Sequence, residues 1–390
     1  MLIAPSPDQS FLLETTTRFL ADKVPPTTLR SLRDDPQGFT DDYWRQGVEL
    51  GWTHLLVDES LGGGSASGDG LVDLSLIAHE FGRRAAPGPL LVSAVVAGAL
   101  SDAGGHDDVV KSLLGAEALA TWAFSEAPGH HELGERRLRV RVEGDSVVLD
   151  GTKRPVESAA RSTHLLVTGT SDEGPTQVLV PTGTPGISMR PMTAVDLTRR
   201  FDEVTFHEVR VGREAVVGEV GGATADVRRQ LLRSLAVSAA ESVGAMQTAF
   251  DLTLEWASDR YSFGRPLASY QAIKHRMAAM KTWLEAAHAI SDEAAAAVAA
   301  DRTEAAKLAS AATAYIGERG SELVQDCVQL HGGIGVTFEH DLHLYLRRQT
   351  LNRGLYGTPS EHRRRVAAEL DRELLDRNAP DGTGATGAIA

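Results

Sequence analysis

Hydrophobic periodicity changes twice along this chain, and those two changes restrict its architecture more than any single motif. From Gln9 to about Ala118 apolar residues recur at helical spacing: Phe11, Leu12, Thr15, Phe19 and Leu20 share a face, and Pro25-Pro26 ends or bends that segment. Leu61-Gly62-Gly63-Gly64 is a turn-forming run, after which Leu71 to Phe81 is helical again. Leu90 to Leu100 is the most apolar stretch, but it falls well short of the roughly 20 residues that span hydrocarbon, so it reads as a buried helix. The pattern then switches to period two in Arg137-Leu138-Arg139-Val140-Arg141-Val142-Glu143. Strand-like runs follow at residues 146–151, 163–168, 177–180, 187–189 and 201–211, separated by Gly, Pro and Asp turns. Beyond Ala223 helical spacing returns, with helices predicted at 271–287, 295–316, 323–330 and 359–375.

This order predicts a mixed α and β chain in three units. Residues 1–118 form an N-terminal helical domain, 119–221 a middle antiparallel β-barrel or sandwich, and 222–377 a C-terminal four-helix bundle. Residues 378–390, with little to bury, read as a disordered tail. No Gly-x-Gly-x-x-Gly stands between an early strand and a helix, which argues against the usual dinucleotide fold. A net charge of -14 opposes nonspecific binding to nucleic acid or anionic membrane. The single cysteine, Cys327, excludes an intrachain disulfide framework and fits a reducing cytoplasm; on a helix it shares a face with Leu323, Val324 and Leu330, so it reads as a packed thiol. Met1 to Ser10 lacks the basic region of a secretory signal, and a cytoplasmic location is expected.

Two segments carry binding chemistry. In Arg260-Tyr261-Ser262-Phe263-Gly264-Arg265-Pro266-Leu267 a guanidinium, a hydroxyl and backbone donors lie near one turn, with Gln271 opening the next helix. A planar donor fork matches pyrophosphate oxygens; equally, Arg260 can simply close a helix at its C-terminus. In Gln329-Leu330-His331-Gly332-Gly333-Ile334-Gly335 the glycines permit close approach of a ligand to the backbone, or else end a helix. Glu339, His340, Asp341 and His343 invite a metal reading, but the Leu-rich continuation to Arg347-Arg348 favours packing, and no metal is expected.

These segments, together with Gly51-Trp52, Glu59, Leu61-Gly62-Gly63, Glu80-Phe81-Gly82-Arg83 and Phe201-Asp202-Glu203-Val204-Thr205-Phe206, resemble the acyl-CoA dehydrogenase family over nearly the whole chain. The resemblance implies FAD bound at a seam between subunits of a homo-oligomer, a dimer or tetramer. By it, Arg260 and Ser262 contact the pyrophosphate, Phe263 packs by the cofactor, Gln271 approaches the nucleotide, Gln329, Gly332 and Gly333 form the second cofactor segment, and Ser125 begins a flavin-side loop. The reaction implied is α,β-dehydrogenation of an acyl-CoA thioester to the enoyl-CoA, with electrons passed to an electron-transferring flavoprotein.

Three departures accompany the resemblance. Pro128-Gly129-His130-His131-Glu132-Leu133 replaces a Gly-rich loop, and Lys153-Arg154-Pro155-Val156-Glu157 replaces a segment that usually presents Trp and a hydroxyl to the flavin ring. Leu355-Tyr356-Gly357-Thr358 puts Tyr356 where the family carries its catalytic Glu, and Ser234 occupies the alternative base position. A phenol of ordinary pKa, about 10, accepts a proton poorly. Glu241, two turns beyond Ser234, is the nearest acidic substitute: buried without a partner it would have the raised pKa of a base, whereas paired to an arginine it would be structural. Tyr356 therefore also suits a catalytically silent subunit whose partner, a second dehydrogenase chain, supplies the carboxylate. A flavin monooxygenase of the same fold and a non-enzymatic CoA-binding scaffold are the remaining readings.

Overall fold

The computed structural model describes residues 5–126 and 137–378. The replaced loop at 128–133 and nearly all of the expected tail lie outside them. Helix α1 (Pro7–Lys23) opens on a capping box: Ser6 Oγ accepts the Gln9 N–H, and the Gln9 side chain accepts the Ser6 N–H. Helices α2 (Pro26–Ser31), α3 (Asp41–Glu49), α4 (Gly70–Arg84), α5 (Leu90–Ala103) and α6 (Asp107–Leu114) complete the first unit. Its core is aromatic: fully buried Trp52 stands edge-on to Phe81 at 4.7 Å and touches Phe19, Tyr43 and Trp44. Every residue of α5 from Leu90 to Leu100 is buried, as its composition predicts. Among the described residues no helix is long and apolar enough to cross a membrane.

The middle unit is an eight-stranded sheet: β1 (Ala120–Ala123), β2 (Arg139–Glu143), β3 (Ser146–Glu157), β4 (His164–Ser171), β5 (Gly174–Pro181), β6 (Ile187–Met192), β7 (Phe201–Gly212) and β8 (Val216–Val217). The spatial order is β6-β7-β3-β2-β4-β5-β8, with β1 beside β4. The expectation of a wholly antiparallel sheet is corrected, because β4 pairs in parallel with both β1 and β2. The long connection from β1 to β4, which contains the β2–β3 hairpin, lets the chain return in the same direction. Strand β3 also runs further than its alternating apolar residues suggest. At Gly151 (φ +140°) a Cβ would lie 2.8 Å from the Leu138 Cα; the register shifts there, and the strand continues to Glu157. That extension carries two charged residues, Lys153 and Glu157, into the interior.

In the third unit, α7 (Thr224–Asp259) leads through a short hairpin, β9 (Tyr261–Ser262) and β10 (Arg265–Pro266), into α8 (Gln271–Ala299), α9 (Ala305–His331), α10 (Leu342–Asn352) and α11 (Pro359–Asn378). Two expected helix boundaries move. Helix α8 continues through the alanines to Ala299, and 323–330 is the end of α9 rather than a helix of its own. Alanine has no reason to stop a helix; the break falls instead at Asp301, whose φ is +47°. Glycines let α4 and α7 cross closely, since a Cβ on Gly82 would meet the Glu241 carbonyl oxygen at 1.8 Å and one on Gly244 the His79 carbonyl oxygen at 1.9 Å. Buried Cys327 packs in the main core, and burial pushes its thiol up to about 12.

Candidate functional site

One group of the expected residues gathers at an end of the bundle. Arg260 closes α7, its N–H donating to the Trp256 carbonyl at 2.9 Å, while its guanidinium lies 5.7 Å above the Trp256 ring. The hairpin beyond it is pinned by the Tyr270 hydroxyl, which donates to the Ser262 carbonyl at 2.8 Å. Trp256 in turn stacks on His331 at 5.2 Å, joining the Arg260 segment to the Gln329–Gly333 segment. Arg260, Gln271, Gln329, Gly332 and Gly333 are all exposed, and Ser262 partly so. Gly332 has φ +65°, and a Cβ on Gly332 or Gly333 would meet only open space. Phe263 is 97% exposed and Val336 74%, an uncovered apolar rim beside a polar cradle. Two buried polar atoms there, Trp256 Nε1 and His331 Nε2, have no hydrogen-bond partner. This end can grip a phosphorylated ligand and present it to another surface.

Ser125 is not part of that group. It lies in a second place, a small chamber lined by Val92, Trp122, Phe124, Ser125, Pro155, Glu157, Phe201, Leu355 and Tyr356. The chamber measures about 20 Å³, enough for one water but not for a ring system, since a water alone needs roughly 10–15 Å³. Tyr356 is buried and its hydroxyl meets Ser234; burial pushes the phenol above its ordinary value. The two positions at which the family resemblance places a base, Ser234 and Tyr356, thus converge on one spot, and neither carries a carboxylate.

The nearby carboxylates are tied up in ion pairs. Glu241 Oε1 accepts from Arg348 Nη1 at 2.6 Å, and Glu241 Oε2 accepts from Arg199 Nη1 at 3.2 Å and from Asn352 Nδ2 at 3.0 Å. The profile of an unpartnered base, which would have made Glu241 catalytic, is therefore corrected: α10 and the segment before β7 deliver two guanidiniums to it. Arg199 also holds Glu157 in a two-point clamp, and Arg348 reaches Asp196 at 2.5 Å, the Thr198 hydroxyl at 2.6 Å and the Ala86 carbonyl at 3.0 Å. The network joins all three units. Sequence reasoning missed Glu157, Arg199, Asp196, Arg348 and Asn352; the only local signal was a pair of arginine doublets, Arg199-Arg200 and Arg347-Arg348, inside otherwise packing segments. His340 and His343 belong to ring stacks, with His343 on Phe338 at 4.5 Å, and no cluster suited to a metal occurs among the described residues.

Three carboxylates (Glu157, Asp196, Glu241) face two guanidiniums, one negative charge in excess. Burial pushes the Glu157 carboxyl up, with Glu241 adding to the push against the pull of Arg199. Burial also acts to raise Asp196, but Arg348, the Thr198 N–H and Arg199 together outweigh it and hold the carboxyl below its ordinary value; Lys153 with the Arg137 and Leu138 N–H groups does the same for Glu126. A depressed native pKa gives stability that is present above the unfolded value and lost as pH falls through the native one. Unfolding midpoints in urea should therefore drop steadily below about pH 4.5. Asp196→Asn should flatten that acid limb, and an unchanged limb would count against the pairing. Glu157 acts with opposite sign, its cost appearing as pH rises above 4.5.

Comparison with known proteins agrees with these features. Residues 6–114 match the model of the acyl-CoA dehydrogenase N-terminal domain and residues 224–370 that of its C-terminal domain. The acyl-CoA dehydrogenase IpdE2 of Mycobacterium tuberculosis is 30% identical over 371 residues, covering 94% of this chain and 99% of that protein. Its counterpart in Mycolicibacterium smegmatis is 28% identical with the same coverage. Among solved structures, a variant of the Tcur3481-Tcur3483 steroid acyl-CoA dehydrogenase superposes with a TM-score of 0.86 at 25% identity, covering 94% of this chain and 98% of that one. The ChsE4-ChsE5 complex of Mycobacterium tuberculosis superposes with a TM-score of 0.84 at 24% identity, covering 95% and 99%. With its helical, mixed-sheet and helical-bundle units in family order, this chain belongs to the acyl-CoA dehydrogenase family.

Proposed function

We propose that this chain is the catalytically silent subunit of a heteromeric FAD-dependent acyl-CoA dehydrogenase. It lends the nucleotide-gripping arm to a subunit seam, while a partner dehydrogenase chain supplies the base and the chamber for the flavin ring. The observation that carries this reading is that Tyr356, in contact with Ser234, lines a chamber too small for a ring, beside Glu157, which Arg199 clamps. FAD fits one half of what is present and not the other. The exposed arm has the donors for its diphosphate and nucleotide: Arg260 binds as a fork, Ser262 and Gln271 add a hydroxyl and an amide, and Gly332 lets backbone approach. Bound FAD supplies hydride-accepting chemistry, and that chemistry belongs to the partner's side of the seam. In this chain Tyr356 and the Glu157–Arg199 clamp fill space and exclude water, and Glu241 is held as a structural anion.

Supporting likenesses are two structures named as pairs of different chains, one of them called a steroid acyl-CoA dehydrogenase. A bulky acyl-CoA is the substrate class that this name suggests for the assembled pair, with an electron-transferring flavoprotein as acceptor.

The test is to express the chain alone and together with a dehydrogenase chain encoded beside it. Alone it should be colourless and should not reduce FAD with any acyl-CoA. Together the two should copurify with one FAD per pair and bleach anaerobically with an acyl-CoA. A yellow homo-oligomer of this chain that bleaches by itself would restore the self-sufficient dehydrogenase.

A further inference from the structure

A third cavity, used by neither the arm nor the chamber, lies where α1, α4, α7 and α8 meet. We propose that it is a binding site for a small neutral molecule made of a short apolar chain bearing one hydroxyl group. Its volume is about 80 Å³, several times the roughly 10–15 Å³ that a single water needs but about half the roughly 150 Å³ of a cavity that holds benzene. Val72, Leu76, Ala240, Val243, Ala295 and Ala296 make most of its walls. Such walls give water few partners and favour an apolar guest.

One polar atom sets the specificity. His79 lines the cavity, and its Nδ1 faces the Glu80 carboxylate at 3.3 Å. A carboxylate only accepts, so Nδ1 carries the proton, and in the neutral ring Nε2 offers a lone pair. That Nε2 is buried and has no hydrogen-bond partner. A hydroxyl donor from the guest would satisfy it, whereas a plain hydrocarbon would leave it unpaired. His288, whose Nε2 meets Gln247 Oε1 at 3.1 Å, brings no positive charge, because burial pushes it down to about 3. Burying an unpaired charge among these mostly apolar walls is costly, so an anionic guest is disfavoured.

His79 and His288, with rings 5.4 Å apart, stand between this cavity and an outer polar hollow lined also by Glu80, Arg83, Gln247, Asp251 and Glu285. The cavity's roof is the start of α1, Pro5 and Gln9, latched by Gln9 Nε2 donating to Asp73 Oδ1 at 2.8 Å.

1-Propanol, 1-chloropropane and propanoate are titrated into the full-length protein by calorimetry, with thermal midpoints followed in parallel. 1-Propanol should bind saturably and at least tenfold more tightly than 1-chloropropane, and the carboxylate should not bind. His79→Phe should abolish the tenfold preference while 1-chloropropane still binds, and Ala295→Leu should remove both by filling the space. Equal binding of alcohol and chloroalkane, no saturable binding, or a preference that survives His79→Phe would each overturn the proposal. Should Ala295→Leu fail to fold, the His79→Phe comparison decides alone.

Discussion

Replacing Arg348 by alanine is expected to destabilise the protein by about 3–5 kcal/mol, the usual cost of breaking a buried ion pair by removing one partner. The side chain is fully buried and holds Asp196, Glu241, the Thr198 hydroxyl and the Ala86 carbonyl at once. Truncation leaves three carboxylates (Glu157, Asp196 and Glu241) facing only Arg199, in a cluster that already carries an excess negative charge. Lost hydration is not restored to them, since Glu241 and Asp196 stay buried. The measurement is the urea midpoint of Arg348→Ala against Arg363→Ala, whose ion pair with Glu318 is about half exposed. The exposed variant should shift little. Equal shifts in the two would mean that the network does not hold the three units together.

The second large effect concerns the seam. In the copurified pair, Arg260→Ala is expected to weaken FAD retention by about 10–100-fold, the loss of roughly 1.5–3 kcal/mol for hydrogen bonds to a charged group. Among the described residues the Arg260 guanidinium meets only the Trp256 ring, so the fold and its melting temperature should stay close to those of the parent. Arg260→Lys should recover part of the affinity, because an ammonium keeps the charge but not the planar fork. Flavin content measured by absorbance after gel filtration decides the matter; full retention in Arg260→Ala would remove this arm from the cofactor site. Should the difference between parent and Arg260→Ala vanish at high salt, the contact is charge without a fork.

Much of the fold was legible because its signals are local. The switch from helical spacing to period two at Arg137–Glu143 located the sheet, and the run Leu90–Leu100 announced a buried helix. Parallel pairing of β4 with β1 and β2 was not legible, since strand direction depends on where a connection returns rather than on which residues it contains. The far half of β3 was missed for a related reason. Lys153 and Glu157 break the alternation, and each is buried only because a partner arrives from elsewhere: Glu126 for Lys153 at 2.6 Å, and Arg199 for Glu157.

The candidate site divides along the same line. By itself the sequence determined the family and the order of the three units, and it singled out the arm proposed to grip a nucleotide, because Arg260, Ser262 and Gln271 stand within twelve consecutive residues. Only the tertiary structure decided the state of Glu241. Its partners Arg199 and Arg348 lie 42 and 107 residues away, and nothing in the local pattern distinguishes a lone buried carboxylate from one clamped between two guanidiniums. Coulomb pairing depends on distance through space, and the folding of β7, α7 and α10 against one another sets that distance.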